Sequence, residues 1–234
     1  MTESEFSLAG SPTADEHLCK LMVDTHGVRF DGRVWDAFDD EIASRMAGAT
    51  TVADLGCGPG LFLFDVSQRM PGARLVGVDR SATMLEFARS MTFSDNAVPQ
   101  QLVCHDLSHG IPEVVAAADV IAMNFFLHQI EQPVNFLKDV RSRLSARGVI
   151  WLYDWARKPL SEYLEFWKVD ESLPSPGDEG SIYRLFPVHN KFTLEDWHFV
   201  FAQAGLAIVH EQPRARGQHW LIILTPSPGV QPTP

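Results

Sequence analysis

The chain has 234 residues, of which 45% are hydrophobic and 21% charged, as is typical of one fairly large globular domain. Its 19 basic and 30 acidic residues give a net charge of −11, which disfavours nucleic acid as a substrate because a phosphate backbone is also anionic. The three cysteines form no C-x-x-C pair, so neither a disulfide nor a zinc site is expected. The sequence shows no membrane-spanning run and no signal-peptide pattern, and we therefore expect a cytoplasmic protein without a membrane partner.

Two helices are predicted before the first strand. Thr13–Glu16 has the form of a capping box, and Leu18, Leu21 and Met22 follow it at helical spacing. The second helix is predicted over Val34 to Ala47, with Gly48 as its end. Since these helices have no sheet of their own to pack on, residues 1–48 are expected to form a helical cap over the main domain.

From residue 49 to residue 225 the chain alternates between strand and helix patterns. Apolar strand runs separated by helical segments are typical of a doubly wound α/β fold with parallel strands. The last two strands have no helix between them, which indicates an antiparallel hairpin. We therefore predict a Rossmann-like, seven-stranded, mostly parallel sheet with an antiparallel C-terminal hairpin. The predicted strands are Thr51–Leu55, Arg74–Val78, Gln101–Cys104, Asp119–Met123, Val149–Tyr153, Leu206–His210 and Trp220–Thr225.

Helix boundaries within this region carry clear signals. Ser81 is the predicted N-cap of the helix after the second strand, and Thr193 is the predicted cap of the last helix. Pro133 opens a helix that we expect to end at Arg147-Gly148, with Leu144 on its inner face.

Two segments interrupt the strand–helix alternation. Residues 156–192 are aromatic with a Pro/Gly-rich centre, and a connection of this length is usually a lid or binding loop. Residues 226–234 hold four prolines and are predicted to be a disordered tail.

The first strand runs directly into the turn Gly56-Cys57-Gly58-Pro59-Gly60. Glycines allow positive φ and remove Cβ atoms that would block a ligand. A strand, such a turn and a helix together place a small molecule against main-chain N–H groups. The spacing is G-x-G-x-G, so the third glycine comes one residue earlier than in the dinucleotide-binding pattern G-x-G-x-x-G.

Together with Asp54, this turn resembles the first motif of class I S-adenosylmethionine-dependent methyltransferases, acid-hydrophobic-G-x-G-x-G. The order of strands, strand-end acids and terminal hairpin over about residues 50–225 is also similar to that family. The resemblance implies S-adenosyl-L-methionine as the cofactor and the family's fold. The positions expected to bind the cofactor are Asp54, Gly56, Gly58, Gly60, Asp79, Arg80, Met84, Asp106, Leu107, Asn124 and Phe125.

Some of these positions have separate expected roles, which follow from their side-chain chemistry or from the resemblance. Asp79, at the end of the second strand, has two oxygens that accept hydrogen bonds from vicinal ribose hydroxyls. By resemblance, Asp106 receives the adenine amino group with Leu107 beside the ring, and Asn124-Phe125 borders the sulfonium. Met84 offers a polarizable thioether under the adenine. The alternatives are a turn or cap role for the two acids and a core position for Met84.

The acceptor side is less constrained by motifs. Methyl transfer from a sulfonium depends mainly on positioning and exclusion of water, and a base is needed only if the nucleophile loses a proton. His128 is the candidate catalytic base, although a hydrogen-bonded histidine that fixes the turn is the alternative. Tyr153 and Trp155 are candidates for substrate binding, with plain core packing as the alternative.

We therefore expect a methyltransferase for a small apolar or aromatic acceptor, methylated at O, N or C, acting as a monomer or homodimer. Asn124 is not followed by the Pro-Pro-aromatic pattern of nucleic-acid base methyltransferases, and no metal-ligand spacing occurs, so no metal is expected. One alternative is a protein of this fold that binds S-adenosylmethionine but catalyses a cyclisation or rearrangement. A nicotinamide-dependent oxidoreductase is a third possibility, disfavoured by the glycine spacing and the hairpin.

Overall fold

The computed structural model describes residues 12–46, 50–91, 101–169 and 179–229, and within them seven strands form one sheet. The strands are β1 (Thr51–Leu55), β2 (Arg74–Asp79), β3 (Gln101–Cys104), β4 (Ala118–Asn124), β5 (Leu144–Trp155), β6 (Leu206–Arg214) and β7 (His219–Pro226). Their order across the sheet is β3-β2-β1-β4-β5-β7-β6. Neighbouring strands among β1 to β5 pair in parallel, whereas β7 lies antiparallel between β5 and β6. The predicted fold class is thereby confirmed.

Helices cover both faces of this sheet. On one face, Ala53, Val76 and Ile121 pack with residues of the helices after β4 and before β6. On the other face, Val52 and Leu75 pack with the second and third helices of the chain. The helices are α1 (Pro12–Arg29), α2 (Gly32–Glu41), α3 (Leu61–Arg69), α4 (Ala82–Ser90), α5 (Pro133–Ser142), α6 (Leu160–Val169), α7 (Glu179–His189) and α8 (Leu194–Gln203).

Side-chain caps fix several helix starts. Ser81 accepts a hydrogen bond from the Met84 N–H at the start of α4, as predicted. Thr193 and Asp196 form a complete capping box at the start of α8. No helix in the described part of the chain is long and apolar enough to cross a membrane.

The predicted boundaries of α1 and α2 were wrong by several residues. α1 begins at Pro12, so Thr13 lies inside the helix and is not its cap. Asp31 caps α2, which therefore starts at Gly32 and ends at Glu41, before a short 3₁₀ turn at Ala43–Arg45. The predicted end at Ala47-Gly48 lies outside the described residues.

The predicted end of α5 was also wrong. The helix ends at Ser142, and Leu144 pairs with Ala118 at the start of a longer β5. The pairing shifts register between Ala118 and Val120, and Gly148 fits there because a Cβ would lie 2.9 Å from the Ala118 carbonyl oxygen. Pairing along the sheet thus replaces the last helical turn that the sequence pattern suggested.

Two parts of the chain lie beside the strand ends. α1 packs against α4, and α6 packs against α7 around Trp155 and Tyr163. The segment between α6 and α7 lies outside the described residues, as do residues 230–234, while Pro226 pairs with Leu206 at the end of β7. The division into cap, main domain, lid and disordered tail stays a prediction.

Candidate functional site

The turn after β1 holds its shape through its glycines. Gly56, Gly58 and Gly60 all have positive φ, of 74°, 50° and 76°. A Cβ on Gly56 would lie 2.5 Å from the Phe126 ring, and one on Gly60 would lie 2.9 Å from the Ala88 Cβ. Gly56 is therefore required for close approach of the turn after β4, whereas Gly60 is required for packing against α4.

A cavity of about 250 Å³ lies at the carboxyl ends of β1, β2 and β4, and we call it the strand-end cleft. This is the expected ligand position for an open α/β sheet. The structure brings together here most of the residues predicted to bind the cofactor: Gly56, Gly58, Asp79, Arg80, Met84, Asp106, Leu107, Asn124 and Phe125. Gly60 does not line this cavity.

Asp79 joins the glycine turn to the start of α4. Its Oδ2 accepts a hydrogen bond from the Gly58 N–H at 2.8 Å, and its Oδ1 accepts one from the Ser81 N–H at 2.8 Å. Burial raises the pKa of Asp79, and these two hydrogen bonds act in the opposite direction. Each carboxylate oxygen has a second lone-pair position, so the side chain retains capacity for two further donors.

Asp54 lies in a smaller, adjacent cavity of about 40 Å³, which we call the inner cavity. The two cavities share Gly56, Asn124 and Phe125 as wall residues. Asp54 is 1% exposed and accepts a hydrogen bond from Asn124 Nδ2 at 3.3 Å. Burial raises the pKa of Asp54 well above its ordinary value, because the charged form loses its hydration there.

Asp106 and Met84 line the strand-end cleft and also stabilise the local structure. Asp106 caps the 3₁₀ turn Leu107–His109 by accepting a hydrogen bond from the Ser108 N–H at 2.9 Å, which lowers its pKa. Met84 is 3% exposed and belongs to the buried face of α4. For both residues, the structural alternative is observed, and both also line the strand-end cleft.

α1 forms a wall of the strand-end cleft, as expected for a helix placed over the ligand end of the domain, but none of its residues was among the predicted site residues. Asp15, Leu18 and Met22 line it, and Ser81 donates a hydrogen bond to Asp15. Met22 lies over the glycine turn, since a Cβ on Gly58 would be 3.2 Å from its Cε. These three residues have the spacing i, i+3 and i+7, so their common helix face was detectable from the sequence.

His128 is placed away from both cavities. It is 4% exposed, and Asp154 accepts hydrogen bonds from its backbone N–H at 2.9 Å and from Nδ1 at 2.6 Å. This arrangement matches the alternative of a hydrogen-bonded histidine that fixes the turn after β4. Its role as a base stays a prediction.

Tyr153 and Trp155 lie beside Phe125 but line neither cavity. Their ring centroids are 4.7 Å and 6.4 Å from that of Phe125. Tyr153 donates a hydrogen bond to the Arg29 carbonyl oxygen at 3.1 Å, and burial raises the pKa of Tyr153 to about 12. Trp155 stacks on His189 at 4.2 Å. Their predicted contact with a substrate therefore requires an acceptor that reaches past Phe125.

The described residues contain no group of three or more His, Cys, Asp or Glu side chains arranged to hold a metal ion. The expectation that no metal takes part stays a prediction, since it concerns the reaction and not only the side chains.

The sheet order, the glycine turn and the acids at successive strand ends form the arrangement that the sequence resemblance to class I methyltransferases implies. Residues 53–150, which are less than half of the chain, match a family described as a methyltransferase domain.

Curated relatives with similar sequences are named trans-aconitate 2-methyltransferase. The Escherichia coli protein is 37% identical over 100 residues, which are 42% of this chain and 36% of the relative. The Paracidovorax citrulli protein is 30% identical over 105 residues, which are 45% of this chain and 38% of the relative. The match thus spans less than two fifths of the length of these relatives.

Solved structures share the fold over nearly the whole chain. The mitomycin 7-O-methyltransferase MmcR superposes with a TM-score of 0.63 at 17% identity, covering 95% of this chain and 60% of that one. The plantazolicin methyltransferase BpumL, solved with S-adenosylhomocysteine (SAH), gives a TM-score of 0.62 at 15% identity, covering 91% of this chain and 97% of that one. At these identities the likeness concerns the fold alone.

Proposed function

We propose that this protein transfers the methyl group of S-adenosyl-L-methionine to a small-molecule acceptor. The observation that carries the proposal is the strand-end cleft, in which Asp79, Asp106 and the glycine turn meet on neighbouring strands. The named relatives are methyltransferases, and BpumL was solved with SAH, which supports the same donor here.

The side chains present fit this donor. Asp79 retains lone pairs for the ribose hydroxyls, and the missing Cβ of Gly58 leaves room for main-chain contact. The Met84 and Leu107 side chains provide apolar walls for a flat base. Asp54, buried in the inner cavity, suits the cationic amino-acid end.

When bound, S-adenosylmethionine supplies an activated methyl group: the acceptor's lone pair forms the new bond as the C–S bond breaks, and a neutral thioether leaves. The protein's contribution is positioning and exclusion of water. α1 covers the cleft through Met22 and Asp15, while Asn124 is held by hydrogen bonds to Asp54 and Trp151. The side chains at the bond-breaking end are thus fixed before the acceptor arrives.

The acceptor side favours an apolar or aromatic molecule. Phe30, Phe125 and Tyr153 form contacts with one another, at centroid distances of 6.4, 4.7 and 5.5 Å. Planar acceptors pack well on such rings. The names of the relatives favour methyl transfer over the non-methylating alternative.

Calorimetry tests the donor site directly. The native protein is expected to bind SAH with micromolar affinity, and Asp79→Ala is expected to weaken that binding at least 100-fold because it removes the hydroxyl acceptor and the support of the glycine turn. Asp36→Ala, at an exposed position on α2, is the matched control and should bind like the native protein. Absence of SAH binding by the native protein would refute the proposal.

A further inference from the structure

A group of buried or partly buried basic side chains lies around Phe125, and we call it the basic cluster. It consists of Arg29, His128, His189, Arg214 and His219, which come from five separate parts of the chain. Burial, and after it the charges of the other four members, lower the pKa of His219 well below the ordinary value. Arg29 and Arg214 are the permanent cations of the cluster, since a guanidinium keeps its proton in proteins.

Two members of the basic cluster have an acidic partner. Arg214 forms an ion pair with Asp31, and His128 Nδ1 is hydrogen-bonded to Asp154 at 2.6 Å. Within the described part of the chain, no carboxylate pairs with Arg29, and its buried Nε has no hydrogen-bond partner. Removing a guanidinium from water without a compensating anion costs free energy. A bound anion beside Arg29 would therefore be stabilised.

The buried Nε of Arg214 also lacks a hydrogen-bond partner, but Arg214 has the acidic partner Asp31. Among the described residues, His219 has no acidic partner. It is 4% exposed, and its buried Nε2 has no hydrogen-bond partner. Its ring lies 4.1 Å from that of Trp155 and 5.7 Å from that of Phe166. The preceding turn holds Ala215 and Arg216 at φ values of 45° and 57°, which side-chain-bearing residues seldom adopt.

Arg29 and His219 both contact the ring of Phe125. The Arg29 guanidinium carbon is 5.1 Å from the ring centroid, and the His219 ring is 4.9 Å from it. Phe125 lines both the strand-end cleft and the inner cavity, and Arg29 also lines the inner cavity. Both groups therefore lie against Phe125, and Arg29 reaches the inner cavity that shares Phe125 with the strand-end cleft.

We propose that Arg29 and His219 form a carboxylate-binding subsite for the acceptor. This inference rests on the proposed function and narrows it: the acceptor is a small unsaturated or aromatic carboxylic acid. The planar guanidinium of Arg29 binds a carboxylate through two parallel hydrogen bonds, and a His219 N–H supplies a third donor. The rings of Phe125, Tyr153 and Trp155 then hold the planar carbon skeleton.

The carboxylate of the donor's own amino-acid group has the same chemistry, so the experiment separates the two sources. Protein saturated with SAH is titrated calorimetrically with trans-aconitate and with 4-hydroxybenzoate. Each acid is compared with a neutral counterpart, the trimethyl ester of trans-aconitate and 4-hydroxybenzamide. The native protein is expected to bind at least one acid about 10- to 100-fold more tightly than its neutral counterpart.

Variants locate that preference on the two residues. Arg29→Gln and His219→Gln are each expected to weaken binding of the acid at least 10-fold. His219→Gln should change SAH affinity by less than about twofold, and Arg29→Gln, whose side chain also lines the inner cavity, should change it by less than 10-fold. Arg29→Lys should retain part of the preference because it keeps the charge but not the planar fork. Arg33→Gln removes an exposed arginine nearby and should leave every affinity unchanged.

Three results would overturn the inference. The first is a native protein, saturated with SAH, that does not prefer either acid over its neutral counterpart. The second is a loss of SAH affinity of 10-fold or more in Arg29→Gln, which would assign the carboxylate to the donor. The third is unchanged acid binding in folded Arg29→Gln. If Arg29→Gln does not fold, the inference is tested instead by two measurements: the preference of the native protein for the acid, and the change of that preference in Arg29→Lys. Failure of the native protein to bind SAH is a separate result that refutes the proposed function itself.

Discussion

The strand-end cleft and the basic cluster both include contacts with one residue, Phe125, but they are built differently. The cleft uses main-chain groups and short motifs at the ends of consecutive strands, as in the Asp79 contacts to Gly58 and Ser81. The basic cluster uses long side chains from elements far apart in the chain, such as Arg29 and His219. Local geometry therefore fixes the strand-end cleft, whereas the basic cluster depends on burial and on the pairing of charge.

The largest effect on stability is expected at Asp154, the acid that is hydrogen-bonded to His128 of the basic cluster. Asp154 accepts hydrogen bonds from the His128 N–H, the His128 ring and the Trp155 N–H. Asp154→Ala leaves all three buried donors without a partner and should lower the free energy of unfolding by about 3–5 kcal/mol. Urea denaturation measures this, with Asp36→Ala as the exposed control. A change below about 1 kcal/mol would show that the pair contributes little to stability.

A somewhat smaller loss of stability is expected for a substitution in the glycine turn. Gly56→Ala places a Cβ 2.5 Å from Phe126 at a positive φ, so it should cost about 2–4 kcal/mol and abolish SAH binding. Gly72→Ala is a matched control, since Gly72 also has positive φ but no atom within 4 Å of the added Cβ. Its cost should stay near 1 kcal/mol. Equal stability losses in the two variants would contradict the close approach to Phe126.

Acidic pH should lower the free energy of unfolding of the protein through two histidines of the basic cluster. The folded-state pKa values of His189 and His219 lie well below the ordinary value because both rings are buried near other cations. The unfolded chain therefore binds protons that the folded chain does not, and stability falls as pH drops below about 6.5, by up to about 1.4 kcal/mol per pH unit for each histidine.

Denaturation curves between pH 7 and pH 5 test this dependence. The double variant His189→Asn with His219→Asn should show a shallower slope than the native protein, while His109→Asn, at an exposed position, should match the native slope. An identical slope in the double variant would assign the pH dependence to other groups.

The smallest effect is expected at the link between α1 and α3. His26 and Asp65 are in contact at 2.6 Å with partly exposed side chains. Asp65→Ala should cost at most about 1 kcal/mol of stability. Stopped-flow fluorescence should nevertheless show faster release of SAH, because α1 covers the strand-end cleft through Met22. Unchanged release, with Asp36→Ala as control, would mean that this contact does not hold the cover closed.

The sequence by itself determined the order of elements, the sheet class and the backbone-built wall of the strand-end cleft. Glycine spacing, strand-end acids and the cap at Ser81 are local signals, and local sterics and hydrogen bonding enforce them wherever they occur. Tertiary structure decided that β5 begins at Leu144, that α1 supplies Asp15 and Met22 to the cleft, and that His128 is held by Asp154. It also decided that Arg29 and His219 both contact Phe125, because long-range packing, not spacing along the chain, brings such side chains together.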